Sequence, residues 1–367
     1  MENVEMPVGM RDLFPADTRK KAALKKRIRS VFAAYGYQEI ETPLIEFYST
    51  YRDAFASIRE EEMYKFVDES GKILALRTDM TLPIARVCAS KILDMELPFR
   101  FAYCSDVYKV RQSFAGKRNE VTDCGVELIG LDASADCEVL GCALDVLEAV
   151  GLPSYTLEIG NSDFFRLACS EAGLDLKDSL FLADLTDRKA MPELREWLSE
   201  KITDRKVREF FAMVPLMNGR DALNEAMRYS FSDALRHEVS YLNGLRDTLC
   251  EAGYPDHIAF DFGKLPYLDY YTGIIFEGYV EGVGTGILSG GRYDRLLAKF
   301  GRDLPACGFG VKLDYLVEVL PDEKRKIRKL YYPKDKTAEA LKKARELRQE
   351  TAVEMIPWDQ EDMEVRE

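Results

Sequence analysis

The sequence predicts an α+β fold: an antiparallel sheet flanked by helices, with a helical insertion. Two observations carry this. Strand-like runs follow one another from Tyr64 to Gly130 and again from His257 onward, while helical periodicity gathers near the chain start, after Asp136 and from residue 171 to about 250. Strand runs that neighbour one another, with helices outside them, argue against a repeated β-α-β pattern.

Residues 18–35 (TRKKAALKKRIRSVFAAY) place Leu24, Ile28, Val31, Phe32 and Tyr35 at offsets 0, 4, 7, 8 and 11, one helix face, with lysines and arginines opposite. A basic face of this kind is ordinarily a solvated helix side. Gly36 is placed to stop the helix, and YQEIETPLIEFY alternates into a strand carrying Pro43. YKFVDESGKILALRTD reads as a hairpin turning at Glu69-Ser70-Gly71. RFAYCSDVYKV and GVELIGL follow as an antiparallel pair joined by the polar loop RQSFAGKRNEVTD. DCEVLGCALDVLEAVGL reads as a helix with Asp136 as N-cap and Gly151 past its end.

Residues 171 to about 250 read as an inserted helical module, broken by Pro215 and Gly219. HIAFDFG, GIIFEGYV and TGILSGG return as strands, GFGVKLDYLVEVL closes with a helix, and all of these are expected to surround one sheet. This gives a core over 1–320 and a short strand-helix-strand tail over 321–367. The tail's 47 residues are few for an independent domain. Its last stretch, EMIPWDQEDMEVRE, holds six carboxylates against Arg366 and favours a solvated end.

Composition narrows the function. The 367 residues are 47% apolar and 31% charged, with net charge −13, so the chain folds and has no general attraction to nucleic acid or anionic lipid. The N-terminus, MENVEMPVGMRDLFPADTRKK, has neither an apolar signal core nor a transit pattern, and no window approaches the roughly 18 apolar residues of a membrane span. A cytoplasmic protein with no membrane partner is expected. Eight scattered cysteines without a C-x-x-C pair, and only His237 and His257, disfavour zinc sites, any other metal role and a disulfide framework. Two histidines also make a histidine-activated nucleophile a poor prospect; both read as structural. Gly282, Gly284, Gly286, Gly290 and Gly291 do not form a phosphate loop; a hairpin turn and a ligand floor both remain open.

More informative are acidic and phenolic residues in predicted strands: Asp79, Asp123, Glu127, Tyr270 and Tyr271. Asp123 and Glu127 lie four apart and share a strand face, and a face lined with carboxylates cannot be packed dry without partners. Either a cationic or hydrogen-bonding ligand sits there, or neighbouring arginines such as Arg77, Arg86 or Arg292 satisfy them.

Together these residues resemble a class II aminoacyl-tRNA synthetase core, specifically that of histidyl-tRNA synthetase, from about residue 6 to 320. GYQEIETPLIEF resembles motif 1, which implies a homodimer interface; VYKVRQSFAGKRNEVTDCGVELIG sits where motif 2 lies; LPYLDYYTGIIFE resembles the histidine signature; GGRYDRLLAKFGRDLPACGFGVKLDYL resembles motif 3. Three arginines that handle ATP and the reacting carboxylate in a working synthetase are replaced by Lys109, Pro266 and Tyr315, and the glutamate after the motif 2 arginine by Arg111. Losing one positioned cation typically costs about a hundredfold to a thousandfold in rate, so adenylation should be abolished. The amino-acid end survives better. By resemblance, Asp79 and Thr81 hold an α-ammonium, Glu127 and Tyr271 bracket the two imidazole nitrogens, Tyr270 and the glycines of GGRYD line the pocket, and Asp123 replaces a glutamine at the ligand backbone. A ring with one donor and one acceptor wants an acceptor and a hydroxyl opposite each other.

A synthetase-like core, missing arginines and a short C-terminus resemble the regulatory-subunit family of ATP phosphoribosyltransferase. The resemblance implies a chain that is not itself an enzyme and binds no cofactor. It implies that the chain activates the short-form catalytic subunit in the first step of histidine biosynthesis, within a hetero-octamer, and takes histidine as the feedback effector. A coupling of about 1 to 3 kcal/mol would suffice for such control. The alternatives are a divergent histidyl-tRNA synthetase or related amino-acid ligase, and a binding module for tRNA or another partner. Against a tRNA partner stands the tail, because an anticodon-binding domain needs roughly a hundred residues.

Overall fold

Pro15–Ala34 form α1, in the computed structural model of the chain, which describes residues 5–52, 60–110, 118–265, 270–322 and 326–366. Proline suits a first helical turn, where its missing N–H is not needed. Leu24, Ile28 and Phe32 are buried on the face their spacing predicts. The expected strand around Pro43 is instead two: Gln38–Glu39 (β1) and Ile45–Phe47 (β2), in different sheets. Pro43 has no N–H for a ladder, and the chain changes sheet across it.

Tyr48–Arg52 form α2; Lys65–Val67 (β3) and Ile73–Leu76 (β4) form the expected hairpin, its turn held by Asp68, which accepts from the Ser70 and Lys72 amides. Thr81–Ser90 then form a helix, α3, inside the stretch read as all strand. Its run buries Leu82, Ile84, Ala85 and Cys88, and Asp79 is therefore not in a strand: its carboxylate accepts from the Leu82 amide at the helix start, 2.9 Å away. Tertiary packing on this face outweighs the flanking strand pattern.

Phe99–Tyr108 (β5) and Glu120–Ile129 (β6) pair antiparallel as expected. Their register sets Cys104 opposite Cys124, Cα atoms 4.0 Å apart, and the two are joined by a single disulfide, a pairing the sequence reading did not anticipate; the other six cysteines are free, so there is no framework of them. Register brings together what a separation of 20 residues does not advertise. Asp136–Val150 form α4, ended by left-handed Gly151 (φ 81°). Asp136 is not its cap. A short turn at Ala133–Ala135, capped by Asp132, precedes the helix, and the Asp136 side chain turns inward instead.

Tyr155–Asn161 (β7) leads into helices Ser162–Glu171 (α5), Leu176–Asp187 (α6), Met191–Lys201 (α7) and Arg205–Met213 (α8), the two-residue strand Asn218–Gly219 (β8), then Ala222–Tyr229 (α9) and Asp233–Glu251 (α10). This is the expected helical run, but it shares one apolar core with the central sheet. Ile258–Asp261 (β9), Ile274–Val280 (β10), Leu288–Arg292 (β11) and Ala306–Lys312 (β12) complete the strands, and Leu313–Val319 (α11) closes the first compact unit, Met1–Leu320.

The central sheet has nine strands in the order β1-β5-β6-β12-β11-β10-β7-β9-β8. It is mixed rather than wholly antiparallel: β1–β5 and β7–β9 run parallel, because long crossovers return the chain to the same end of the sheet before the second strand begins. Nor is there one sheet, since β2, β4 and β3 form a separate one. On β6, Cys124, Val126 and Leu128 pack with α1 and α4, which turns Asp123, Gly125 and Glu127 to the opposite face. That alternation positions the site.

The second unit, Pro321–Glu367, comprises Ile327–Pro333 (β13), Thr337–Leu347 (α12), Ala352–Trp358 (β14) and Glu364–Arg366 (β15). It has a core of its own in Leu330, Ala340, Ala344 and Val353, which makes the tail a compact unit despite its length. The described carboxylates of its acidic end are exposed, as expected, and the end is also ordered: β15 pairs antiparallel with β13, which pairs in parallel with β14. No helix among the described residues is long and apolar enough to cross a membrane.

Candidate functional site

A cavity of about 430 Å³ opens on the sheet face that carries Asp123 and Glu127. Asp79, Thr81, Asp123, Tyr270 and Tyr271 all line it, drawn from the start of α3, from β6 and from the segment before β10. Glu127 lies beneath, 1% exposed. Its Oε1 accepts from the Thr81 hydroxyl at 2.6 Å and its Oε2 from the Tyr293 hydroxyl. Tyr293 stacks on Tyr270, centroids 5.5 Å apart, and Tyr270 meets Tyr271 edge-on at 4.7 Å.

Glycine makes room for this arrangement. Gly308 faces Glu127 across β6–β12, and a Cβ there would lie 2.0 Å from Glu127 Oε2. The glycine-rich run divides between two settings: Gly282 and Gly284 lie in the turn between β10 and β11, whereas Gly286 and Gly290 line the cavity.

Burial sets the electrostatics. It pushes the Glu127 carboxyl up to about 8, opposed by the hydrogen bonds from Thr81 and Tyr293. Burial also pushes Asp123 up to about 6, opposed by the positive charges of Lys312 and Lys109. The phenols of Tyr103, Tyr270 and Tyr293 are raised well above their ordinary value by burial, so they stay neutral and can donate. Asp79 accepts at both oxygens, from the Leu82 amide and from the Thr78 hydroxyl at 2.9 Å.

The arginines that could have neutralised this face are engaged elsewhere. Arg77 donates to the Asp106 and Thr42 carbonyls, Arg86 to Glu46, and Arg292 to Asp136 and Asp294. Glu127 is satisfied by the Thr81 and Tyr293 hydroxyls, whereas Asp123 Oδ1 is buried with no hydrogen-bond partner among the described residues. Lys109 and Tyr315, two of the three positions that the sequence resemblance sets against synthetase arginines, line the same cavity; Pro266 and Arg111 lie outside the described residues. Arg118 also lines it, but is balanced by Asp314 at 3.6 Å and by Glu318, with its guanidinium 5.9 Å from the Tyr315 ring centroid.

Three residues escaped the sequence reading. Tyr293 lay within the flagged GGRYD run but was not singled out. Lys312 becomes relevant only as the register partner of Asp123, and Tyr103 only as the partner of Gly125.

Comparison with known proteins agrees with this architecture. A family model described as histidyl-tRNA synthetase matches residues 9–316. The ATP phosphoribosyltransferase regulatory subunit of Acetivibrio thermocellus is 36% identical over 320 residues, covering 87% of this chain and 77% of the relative. That of Clostridium kluyveri is 33% identical, covering 99% and 95%. A solved structure described as an ATP phosphoribosyltransferase regulatory subunit/histidyl-tRNA synthetase from Bacillus halodurans superposes with a TM-score of 0.88 at 32% identity, over 97% of this chain and 93% of that one. Histidyl-tRNA synthetase from Nostoc shares the fold, with a TM-score of 0.78 at 21% identity over 98% and 87%. Relatives of one name, aligned over most of both chains on a shared synthetase fold, mean that this chain belongs to the ATP phosphoribosyltransferase regulatory subunit family, a histidyl-tRNA synthetase-like branch of the class II fold.

Proposed function

We propose that this chain is a non-catalytic regulatory subunit whose cavity takes free histidine and reports its occupancy to the short-form catalytic subunit of ATP phosphoribosyltransferase. The single observation that carries the reading is Glu127, a buried carboxyl bonded by two hydroxyls beneath a cavity lined by Tyr270 and Tyr271. A carboxyl and neighbouring phenols can present the acceptor and donor that an imidazole ring requires, and a site built on such pairs rejects rings lacking the nitrogens.

Adenylation is not expected of this site. Lys109 and Tyr315 stand where a synthetase uses arginine, and the Arg118 charge is already opposed by Asp314 and Glu318. The chain would act as a homodimer inside a hetero-octamer, in the cytoplasm and without tRNA. Histidine needs only to bind two states of that assembly unequally to shift the balance between them.

The test is reconstitution with a short-form catalytic chain, ATP and phosphoribosyl pyrophosphate. Activity should appear on adding this protein and fall on adding histidine. Robust histidine-dependent exchange of pyrophosphate into ATP would instead restore the synthetase alternative.

A further inference from the structure

Asp123 and Lys312 are register partners on β6 and β12, and both line the cavity. Asp123 Oδ1 is buried and has no hydrogen-bond partner among the described residues. A buried acceptor left in that condition costs free energy until a donor reaches it. Among the other carboxylates that line the cavity, Asp79 already accepts at both oxygens and Glu277 accepts from Lys264 and Tyr279. The strongest demand for a donor therefore falls on Asp123.

Geometry sets the scale of what can fill the gap. Glu127 lies four residues along β6 from Asp123 on the same face, about 13 Å between Cα atoms at the usual strand rise. Side chains on one strand face stand roughly parallel and keep about that spacing, which one small amino acid with a ring can bridge with a hydrogen bond at each end. Lys312 adds the complementary charge at the Asp123 end, and its field favours the ionised aspartate.

We propose that Asp123 and Lys312 form a clamp for the head group of the bound amino acid, with Asp123 accepting from the α-ammonium and Lys312 pairing with the α-carboxylate. This rests on the reading of the cavity as a histidine site and makes Lys312 the residue that demands a free carboxylate. A ligand lacking either head charge forfeits one of the two contacts of the clamp, which is how a site built on paired polar groups rejects close analogues. Lys312 thus takes over, from β12, the carboxylate-holding role that the resemblance gives to an arginine of the synthetase signature.

The test is calorimetric titration of the full chain with histidine, with histidinol, which lacks the carboxylate, and with imidazolepropionate, which lacks the amine. The wild type should bind histidine more tightly than either analogue. Lys312→Met should weaken histidine about ten- to a hundredfold while altering histidinol less than about threefold, and Lys312→Arg should retain most of the preference. Lys109→Met should leave the histidine-to-histidinol ratio in place. Equal wild-type affinity for histidine and histidinol overturns the clamp without any variant having to fold. So does a ratio unchanged by Lys312→Met, or one collapsed by Lys109→Met alone. Wild-type protein that binds none of the three ligands removes the histidine reading and the clamp together, whereas histidine binding with an unaltered ratio removes only the clamp.

Discussion

The Thr81 hydroxyl donates to Glu127 Oε1 at 2.6 Å, tying the first residue of α3 to the middle of the central sheet. Tyr293 donates to the other oxygen from just beyond β11, so one carboxyl joins three separate segments. A ligand competing for these hydroxyls would be felt in all three. That makes Glu127 the natural place to probe the site.

Histidine at about a hundred times its Kd should stabilise the chain by about 2.7 kcal/mol. Glu127→Ala should remove the resulting rise in melting temperature while leaving the circular dichroism spectrum native. An unchanged rise in the variant would mean that the ligand sits elsewhere.

Stability should fall with rising pH because of the same group. Burial holds Glu127 protonated up to about 8, whereas its ordinary value is 4.5. Between those values the folded chain keeps a proton that the unfolded chain has lost, so folding weakens as pH rises through the window and is level outside it. Glu127→Gln, permanently neutral, should gain on the wild type by a few kcal/mol, in order of magnitude, between pH 5 and pH 9. Urea denaturation midpoints at both ends of the window measure this.

Gly308→Ala would place a methyl group 2.0 Å from Glu127 Oε2 and 2.4 Å from the Val126 carbonyl. Overpacking of that kind costs about 1–3 kcal/mol, and the forced shift of Glu127 should also abolish the response to histidine. Thermal melts with and without histidine separate the two effects. A variant that melts like the wild type and still responds would show that β6 and β12 can part without disturbing the site.

Arg292 and Asp136, 3% and 1% exposed, form a buried ion pair with Nε 2.9 Å from Oδ1, and the Tyr241 hydroxyl donates to the same aspartate at 2.7 Å. Asp136→Ala should destabilise the chain by about 3 kcal/mol, because Arg292 loses its buried counter-charge and keeps only Asp294 and the Leu131 and Asp132 carbonyls. Replacing both partners, Asp136→Leu with Arg292→Met, should cost less than the single change, as read from chemical denaturation of all three chains.

In the tail, Leu330 is fully buried in a core of four residues. Leu330→Ala should cost about 2–5 kcal/mol, more than so small a unit can spare. Amide exchange should accelerate across β13, α12 and β14 while α4 and β6 remain protected.

Local patterns in the chain were legible wherever one element's own residues decide its form. The buried face of α1 follows from spacing, the β3–β4 hairpin from its turn residues, and the shared face of Asp123 and Glu127 from strand alternation. The helix at Thr81–Ser90 was missed because its flanks read as strand and its burial comes from distant partners. The inward turn of Asp136 was missed because Arg292 lies 156 residues away.

The sequence by itself determined the element types along most of the chain and the carboxylates and phenols available for a site, since those depend on near neighbours and side-chain chemistry. Only the tertiary structure decided that Glu127 is held by Thr81 and Tyr293, that Asp123 faces Lys312, and that Cys104 meets Cys124. Strand register and close approach between distant segments are set by packing the whole core at once, and no short stretch of sequence contains that information.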